Sequence, residues 1–240
     1  MSNANPARAA TQRMITRDDL LGLLDALPPE ELGDLLDELG VDGQVATPAL
    51  PDPSMLNYYC DLERRTIWLD TELNEEWLEY AKHILRWNRE DEEAGIPIED
   101  RKPIKLFFFS PGGDLDVNNC IIDVLQMSRT PTVGINMGRA YSGGAFTYLA
   151  TQKRYVLPHA FFLLHTGSAE FVSGTPAQIK SFSEQYNRQT NTLKDYLIED
   201  VGMDEELVSK NIEGEWYIDA QEAVKIGMAH GIVHDIREIM

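Results

Sequence analysis

The sequence lacks most features of secreted, membrane-spanning and metal-binding proteins. It has only two cysteines in 240 residues, Cys60 and Cys120, and their separation fits no metal-ligand spacing. Each lies next to apolar sequence, which predicts two buried thiols in a reducing compartment. No apolar run approaches the roughly 20 residues that span a bilayer, and the N-terminus lacks the charged-then-apolar pattern of a secretory signal. We therefore expect a cytoplasmic protein with no membrane partner.

Basic residues are also scarce. The sequence holds 21 Lys and Arg against 40 Asp and Glu, so its formal net charge is −19. Such a surface repels the phosphates of nucleic acids and of anionic lipids, which argues against nucleic acid as a partner. The hydrophobic content of 43% is ample for the core of one domain of roughly 200 residues.

The first 56 residues differ in composition from the rest. Residues 1–15 are small and polar, residues 16–40 carry leucines at helical spacing on both sides of a Pro-Pro pair, and residues 41–56 contain three prolines. We interpret 1–56 as an N-terminal extension made of a disordered start, a Leu-rich helical hairpin and a linker. The hairpin would be an adaptor element or a packing extension. The main domain would then span 57–240.

Strand and helix patterns alternate through 57–240. Strands are predicted over 65–69, 104–109, 132–137, 155–157, 161–164 and 216–218, with an exposed strand and turn over 168–175. Helices are predicted over 72–89, 117–128, 145–151, 176–200, 204–210 and 220–226, and an exposed loop over 90–103. This alternation predicts an α/β fold with a mostly parallel sheet.

Three of the predicted strands end in residues that could carry chemistry. The segment 137–146, Met-Gly-Arg-Ala-Tyr-Ser-Gly-Gly-Ala-Phe, has the pattern of a strand end, a tight turn and a helix start, with Ser142 at the turn. Free N–H groups at a helix start can bind an oxyanion. His165 ends a second strand, and Ser-Pro-Gly-Gly at 110–113 ends a third. From these residues alone a catalytic site and a merely structural role both stay open.

Taken together, these segments resemble the proteolytic subunit of the Clp protease, in the fold superfamily shared with the crotonases. The likeness runs from about Tyr58 to Val233. It rests on the motifs at 110–113, 138–145, 153–158, 163–165, 171–179 and 217–227. The resemblance implies a crotonase/ClpP-like ββα superhelix with a parallel sheet, and a protruding handle of one strand and one helix that joins two rings.

The resemblance also assigns roles to residues. Ser142 would be the nucleophile and His165 the general base, while the N–H groups of Gly113 and Gly143 would form the oxyanion hole. Where the family keeps an aspartate as the third member of the triad, this chain has Glu215. A glutamate can hold an imidazole as well, although its extra methylene must be accommodated.

The sequence departs from the family pattern elsewhere too. Asp219 is a second acid near the last strand, but it is better suited to capping the following helix. Glu213 and Gly214 replace the Asp-Arg pair that contacts the opposite ring, and the 1–56 extension replaces the usual axial loop. The loop 90–103 is longer than in the family, and two residues are missing between the serine and the histidine. His159 matches a turn position without a catalytic role.

The resemblance implies a serine endopeptidase that hydrolyses unfolded polypeptides inside the chamber of a ring homo-oligomer, a heptamer or a double ring. It implies no metal or organic cofactor in this chain, since ATP would be used by a partner AAA+ unfoldase. Three alternatives stay open. The chain could be a weakly active or inactive structural paralogue in a mixed ring, which the Glu215 substitution favours. It could be a virus head-maturation protease with the same fold, or a crotonase acting on an acyl thioester, which needs no such serine.

Overall fold

A computed structural model describes residues 53–168 and 173–239 of the chain. Apart from Pro53, these residues belong to one compact unit, Ser54–Met240. The predicted Leu-rich hairpin lies outside the described residues, as do most of the predicted linker and the centre of the predicted strand over 168–175. The division of the chain between 56 and 57 stays a prediction.

In the part of the chain that the structure describes, seven strands form one sheet. They are β1 (Thr66–Leu69), β2 (Ile104–Ser110), β3 (Thr132–Tyr141), β4 (Lys153–Val156), β5 (Phe161–Leu164), β6 (Trp216–Asp219) and β7 (Gly231–Ile232). The order β1-β2-β3-β4-β7 is parallel throughout. Strand β5 adds to β3 in parallel, and β6 pairs antiparallel with β5. The predicted fold class, α/β with a mostly parallel sheet, is confirmed.

Seven helices accompany the sheet in the described part of the chain. They are α1 (Pro53–Glu63), α2 (Leu78–Glu93), α3 (Leu115–Met127), α4 (Gly143–Leu149), α5 (Pro176–Glu199), α6 (Glu205–Asn211) and α7 (Ala220–Lys225). Side chains that accept backbone N–H groups cap four of them, at Asp114, Thr175, Asp204 and Asp219. No helix among the described residues combines the length and the apolar character that crossing a bilayer demands.

Strand β3 changes its neighbour half-way along. Its first half, Val133 to Asn136, pairs with β4, and its second half, Arg139 to Tyr141, pairs with β5. The buried Asn136 holds this change in place: its amide donates to the carbonyl oxygen of Phe161 at 2.9 Å, and its oxygen accepts the N–H of Gly138 at 3.1 Å. As a result the carboxyl ends of β2, β3 and β5 meet at one edge of the sheet, where ligand sites of such folds collect.

Several predicted boundaries are displaced. The helix predicted from residue 72 begins at Leu78, after a 3-10 turn at Glu75–Trp77, because Leu73 instead pairs with Gly113 as an isolated β-bridge. Helix α2 continues to Glu93, inside the predicted loop 90–103, and α1 begins at Pro53, inside the predicted linker. Strand β7 was not predicted, since two residues are too few to show a pattern.

The prediction that both cysteines are buried is wrong. Cys60 on α1 and Cys120 on α3 are both exposed free thiols. On α3 the buried stripe includes Val117, Ile121 and Leu125, which recur at four-residue spacing on one face of the helix. Cys120 adjoins that stripe in sequence but lies on another side of the helix, so its apolar neighbours do not cover it.

Asp91 on α2 forms an ion pair with Arg65, the residue before β1. The Asp91 carboxylate, whose side chain is 1% exposed, accepts two hydrogen bonds from Arg65 at 2.6 and 2.7 Å and one from Thr130 at 2.7 Å. We expect Asp91→Asn to lower the free energy of unfolding by about 3 kcal/mol, because it leaves the Arg65 guanidinium, on a side chain only 13% exposed, without its counter-charge. Chemical denaturation at neutral pH measures this loss.

The exposed pair of Lys82 and Glu79 is the matched control, with side chains 67% and 60% exposed. Glu79→Gln should change the unfolding free energy by less than ~0.5 kcal/mol. The hydrogen bond from Arg65 lowers the pKa of Asp91. The ionised Asp91 therefore stabilises the folded protein at pH values above the ordinary carboxyl pKa, and this stabilisation is lost as the pH falls through the lowered pKa. Asp91→Asn should therefore weaken the acid dependence of stability. A loss no larger than that of Glu79→Gln would contradict this account.

Candidate active site

Ser142 lies in a strained turn between β3 and α4. Its φ of 51° and ψ of −126° place a non-glycine residue in the left-handed half of backbone space, which costs of order 1–3 kcal/mol. Two backbone hydrogen bonds stabilise this strained conformation. The Ser142 N–H donates to the Leu163 carbonyl at 2.8 Å, and the Ser142 carbonyl accepts the N–H of Ala145 at 2.9 Å. A sharp strand-to-helix turn of this kind projects the hydroxyl from the sheet edge.

His165 lies directly beside this serine. It follows β5, which runs parallel to the end of β3 with Tyr141 opposite Leu163, so the residues after the two strands emerge together. The imidazole Nε2 is 2.8 Å from the Ser142 Oγ. This distance lies within the range in which an imidazole can take the hydroxyl proton. The serine and histidine singled out in the sequence are thus in hydrogen-bond contact.

Glu215 lies on the other side of the imidazole. Strand β6 runs antiparallel to β5 with Trp216 opposite Leu164, so Glu215, just before β6, comes level with His165. Its Oε1 is 3.6 Å from the His165 Nδ1, and its side chain is 60% exposed. That separation exceeds the roughly 2.6–3.2 Å of a hydrogen bond. The acid therefore approaches the histidine without closing the contact.

The Glu215 carboxylate has a second partner that the sequence analysis did not identify. The hydroxyl of Tyr217 donates to its Oε2 at 3.0 Å. This hydrogen bond is the main cause of the raised pKa of Tyr217. The sequence signal that could have indicated this contact is strand alternation, because residues two apart, such as 215 and 217, lie on the same face of a strand. Asp219, in contrast, caps α7, as its position suggested: its Oδ1 accepts the N–H groups of Gln221 and Glu222.

The glycines at 112 and 113 are dictated by close backbone approach. Gly112 has a φ of +92°, and a Cβ there would lie 2.6 Å from the Tyr141 carbonyl oxygen. Gly113 has a φ of +149°, and a Cβ there would lie 2.1 Å from the carbonyl oxygen of Leu73. The Leu73 backbone holds this loop, donating to the Gly112 carbonyl and accepting from the Asp114 N–H, both at 2.8 Å. No residue with a side chain fits at either glycine without moving the loop.

A cavity of about 370 Å³ opens in front of the serine and histidine. Gly113 and Gly143 line the same cavity. Gly143 is the first residue of α4, so its N–H has no acceptor within the helix. Part of the wall is apolar and consists of Leu115, Phe146, Leu163 and Leu193. The cavity thus combines a hydroxyl, an imidazole and glycine backbone with an apolar surface.

The structure also locates two residues that had no predicted role in catalysis or binding. His159 is exposed in the turn between β4 and β5 and does not line the cavity. Glu213 is exposed in the turn before Glu215.

Within 53–168 and 173–239, no group of three or more His, Cys, Asp or Glu side chains is arranged to hold a metal ion. The expectation of no cofactor remains untested.

Comparison with known proteins identifies the family of this chain. The family model of the Clp protease matches residues 61–235. The chain belongs to the Clp protease family. Membership confirms the resemblance drawn from the motifs, and it indicates a peptidase, that is, a hydrolase.

Curated members of the Clp protease family show how far this chain has diverged. It is 32% identical over 139 residues to proteolytic subunit 2 of the ATP-dependent Clp protease of Pseudomonas aeruginosa, covering 57% of this chain and 69% of that one. It is 29% identical to subunit 2 of Rhodococcus jostii over 72% of this chain and 85% of that one. Identity to subunit 1 of Corynebacterium jeikeium is 29%, over 74% of this chain and 91% of that one.

A solved structure supports the Clp-like fold independently. A mutant of ClpP1 from Listeria monocytogenes superposes with a TM-score of 0.64 at 21% sequence identity. The match covers 77% of this chain and 99% of that one. At this identity the likeness shows the shared fold and nothing about activity.

Proposed function

We propose that this chain is a serine endopeptidase of the Clp proteolytic-subunit type that cuts unfolded polypeptides. The observation that carries the proposal is the 2.8 Å contact between the Ser142 Oγ and the His165 Nε2, at a strained turn that faces a cavity. Membership of the Clp protease family supports it.

The chemistry would follow from these positions. Ser142 gives its proton to the Nε2 of His165 while its Oγ attacks the carbonyl carbon of the scissile bond. The N–H groups of Gly113 and Gly143 bind the oxyanion of the tetrahedral intermediate. His165 then donates the proton to the leaving amine as the C–N bond breaks, which leaves an acyl-enzyme on the serine. A water, deprotonated by the same histidine, hydrolyses the acyl-enzyme. No metal or organic cofactor takes part.

We place this chemistry inside a ring homo-oligomer, a heptamer or a double ring. Helix α5 supports such assembly: its residues from Thr190 onward include the four buried ones, whereas most of its first half, including Phe182, is exposed. Large apolar side chains also stay exposed in the single chain, among them Met127 at 69% and Phe161 at 45%, and a neighbouring subunit would cover such side chains in the ring. An AAA+ unfoldase would use ATP to deliver polypeptides in the cytoplasm.

A second function has one specific observation in its favour. The 3.6 Å gap between Glu215 and His165 is what a weakly active structural paralogue in a mixed ring would show. The proposals differ in the reactivity of the serine. A fluorophosphonate probe should label Ser142 in the intact protein, as located by mass spectrometry, and a fluorogenic peptide should be hydrolysed. Absence of both labelling and hydrolysis would overturn the peptidase proposal and leave the structural one.

A further inference from the structure

We infer that Tyr217 is a positioning residue that holds the Glu215 carboxylate next to His165. The inference rests on the proposed function and extends the serine, histidine and glutamate by a fourth side chain. Tyr217 touches neither the substrate cavity nor the reacting atoms. It acts through the carboxylate alone.

The two oxygens of the carboxylate face two different partners. Oε2 accepts the hydroxyl of Tyr217 at 3.0 Å, and Oε1 lies 3.6 Å from the Nδ1 of His165. A glutamate side chain that is 60% exposed has several open rotamers, and ordering it costs conformational entropy. A hydrogen bond to one oxygen restricts those rotamers and keeps the other oxygen on the imidazole side. The extra methylene of a glutamate, relative to an aspartate, makes such an anchor useful.

Tyr217 is itself held in place by the strands that position Ser142. Tyr217 lies opposite Leu163 in the β5–β6 register, and the carbonyl of Leu163 accepts the N–H of Ser142 at 2.8 Å. Its ring meets that of Tyr141 edge to face, with centroids 6.0 Å apart and planes at 88°. Tyr141 is the residue before Ser142. The hydroxyl is therefore fixed relative to the same backbone that fixes the serine.

The protonation state of Tyr217 suits its role as a hydrogen-bond donor to Glu215. The hydrogen bond to Glu215 raises the pKa of Tyr217 above the ordinary value near 10. The hydroxyl thus keeps its proton, and remains a donor, through the neutral and mildly alkaline range in which a serine–histidine pair works.

A double-mutant cycle tests the inference. Tyr217→Phe removes the hydroxyl and keeps the ring against Tyr141, so the fold should be retained. We expect kcat for a fluorogenic peptide to fall about fivefold with KM within about a factor of two. In a Glu215→Ala background the same change should have no effect. Tyr59→Phe is the matched control, because Tyr59 is 56% exposed against 54% for Tyr217 and also sits in an edge-to-face pair. It should leave kcat unchanged.

A spectroscopic measurement separates this inference from the proposed function. In the full-length Ser142→Ala protein, the imidazole NMR signals of His165 should change when Glu215→Ala is added, because the Glu215 carboxylate lies 3.6 Å from the Nδ1. Adding Tyr217→Phe instead should produce much of the same change, and adding Tyr59→Phe should not. A wild-type protein without hydrolysis would defeat the peptidase proposal while leaving these signals to be read. The inference fails if Glu215→Ala leaves the His165 signals unchanged, if Tyr217→Phe leaves them unchanged, or if Tyr217→Phe costs the same kcat in both Glu215 backgrounds.

Discussion

Ser142→Ala should abolish peptide hydrolysis, by roughly 10⁵-fold or more, and leave the fold and assembly intact. Losing the nucleophile of a serine–histidine site removes covalent catalysis altogether, and comparable sites lose on the order of 10⁶ in kcat. Alanine keeps the Cβ, so the backbone strain at φ 51° is no greater than with serine. The measurements are the rate with a fluorogenic peptide, the particle mass by light scattering and the melting temperature.

Ser209→Ala is a suitable control for that experiment. Ser209 is exposed on helix α6 and does not line the cavity, so its substitution should leave the rate unchanged. Cleavage by the Ser142→Ala protein at the wild-type rate, with a contaminating protease excluded by fluorophosphonate labelling, would show that another residue is the nucleophile.

Glu215→Gln should lower kcat by about 100-fold. The amide keeps the size of the side chain and an oxygen that Tyr217 can bond, but it withdraws the negative charge that steadies the imidazolium of His165. The corresponding change at a buried triad acid costs about 10⁴-fold. We expect less here because Glu215 is 60% exposed and 3.6 Å from the histidine. Steady-state kinetics with one peptide substrate measures the effect.

Two companion variants sharpen this prediction. Glu213→Gln removes a charge from an exposed acid two residues earlier and should have little effect, since that side chain has no predicted place in the site. Glu215→Asp should lower kcat about tenfold, because a shorter side chain on the same backbone moves its carboxylate away from an imidazole that is already 3.6 Å distant. Activity kept or raised by Glu215→Asp would instead show that the loop adjusts to the family's usual aspartate. Glu215→Gln at the wild-type rate would show that His165 works without this acid.

Local sequence determined much of this protein. The alternation of apolar runs with helical patterns predicted the parallel sheet, because strand and helix periodicities are properties of neighbouring residues. The cap at Asp219 was predictable for the same reason, and the structure shows its Oδ1 accepting two N–H groups of α7. The placement of Ser142 and His165 at strand ends was also predictable, since parallel strands bring their carboxyl ends to one edge.

Only the tertiary structure decided which of these residues meet and at what distance. Whether Leu73 begins a helix or bridges to Gly113 depends on a pairing across the chain, which no local pattern encodes. The same holds for the exposure of Cys120, set by which face of α3 is covered. The Glu215 carboxylate lies between Tyr217 and His165 because β6 pairs antiparallel with β5 in one register. Strand register is fixed by packing over the whole sheet, so a sequence can name the residues of a site while the fold sets their separation.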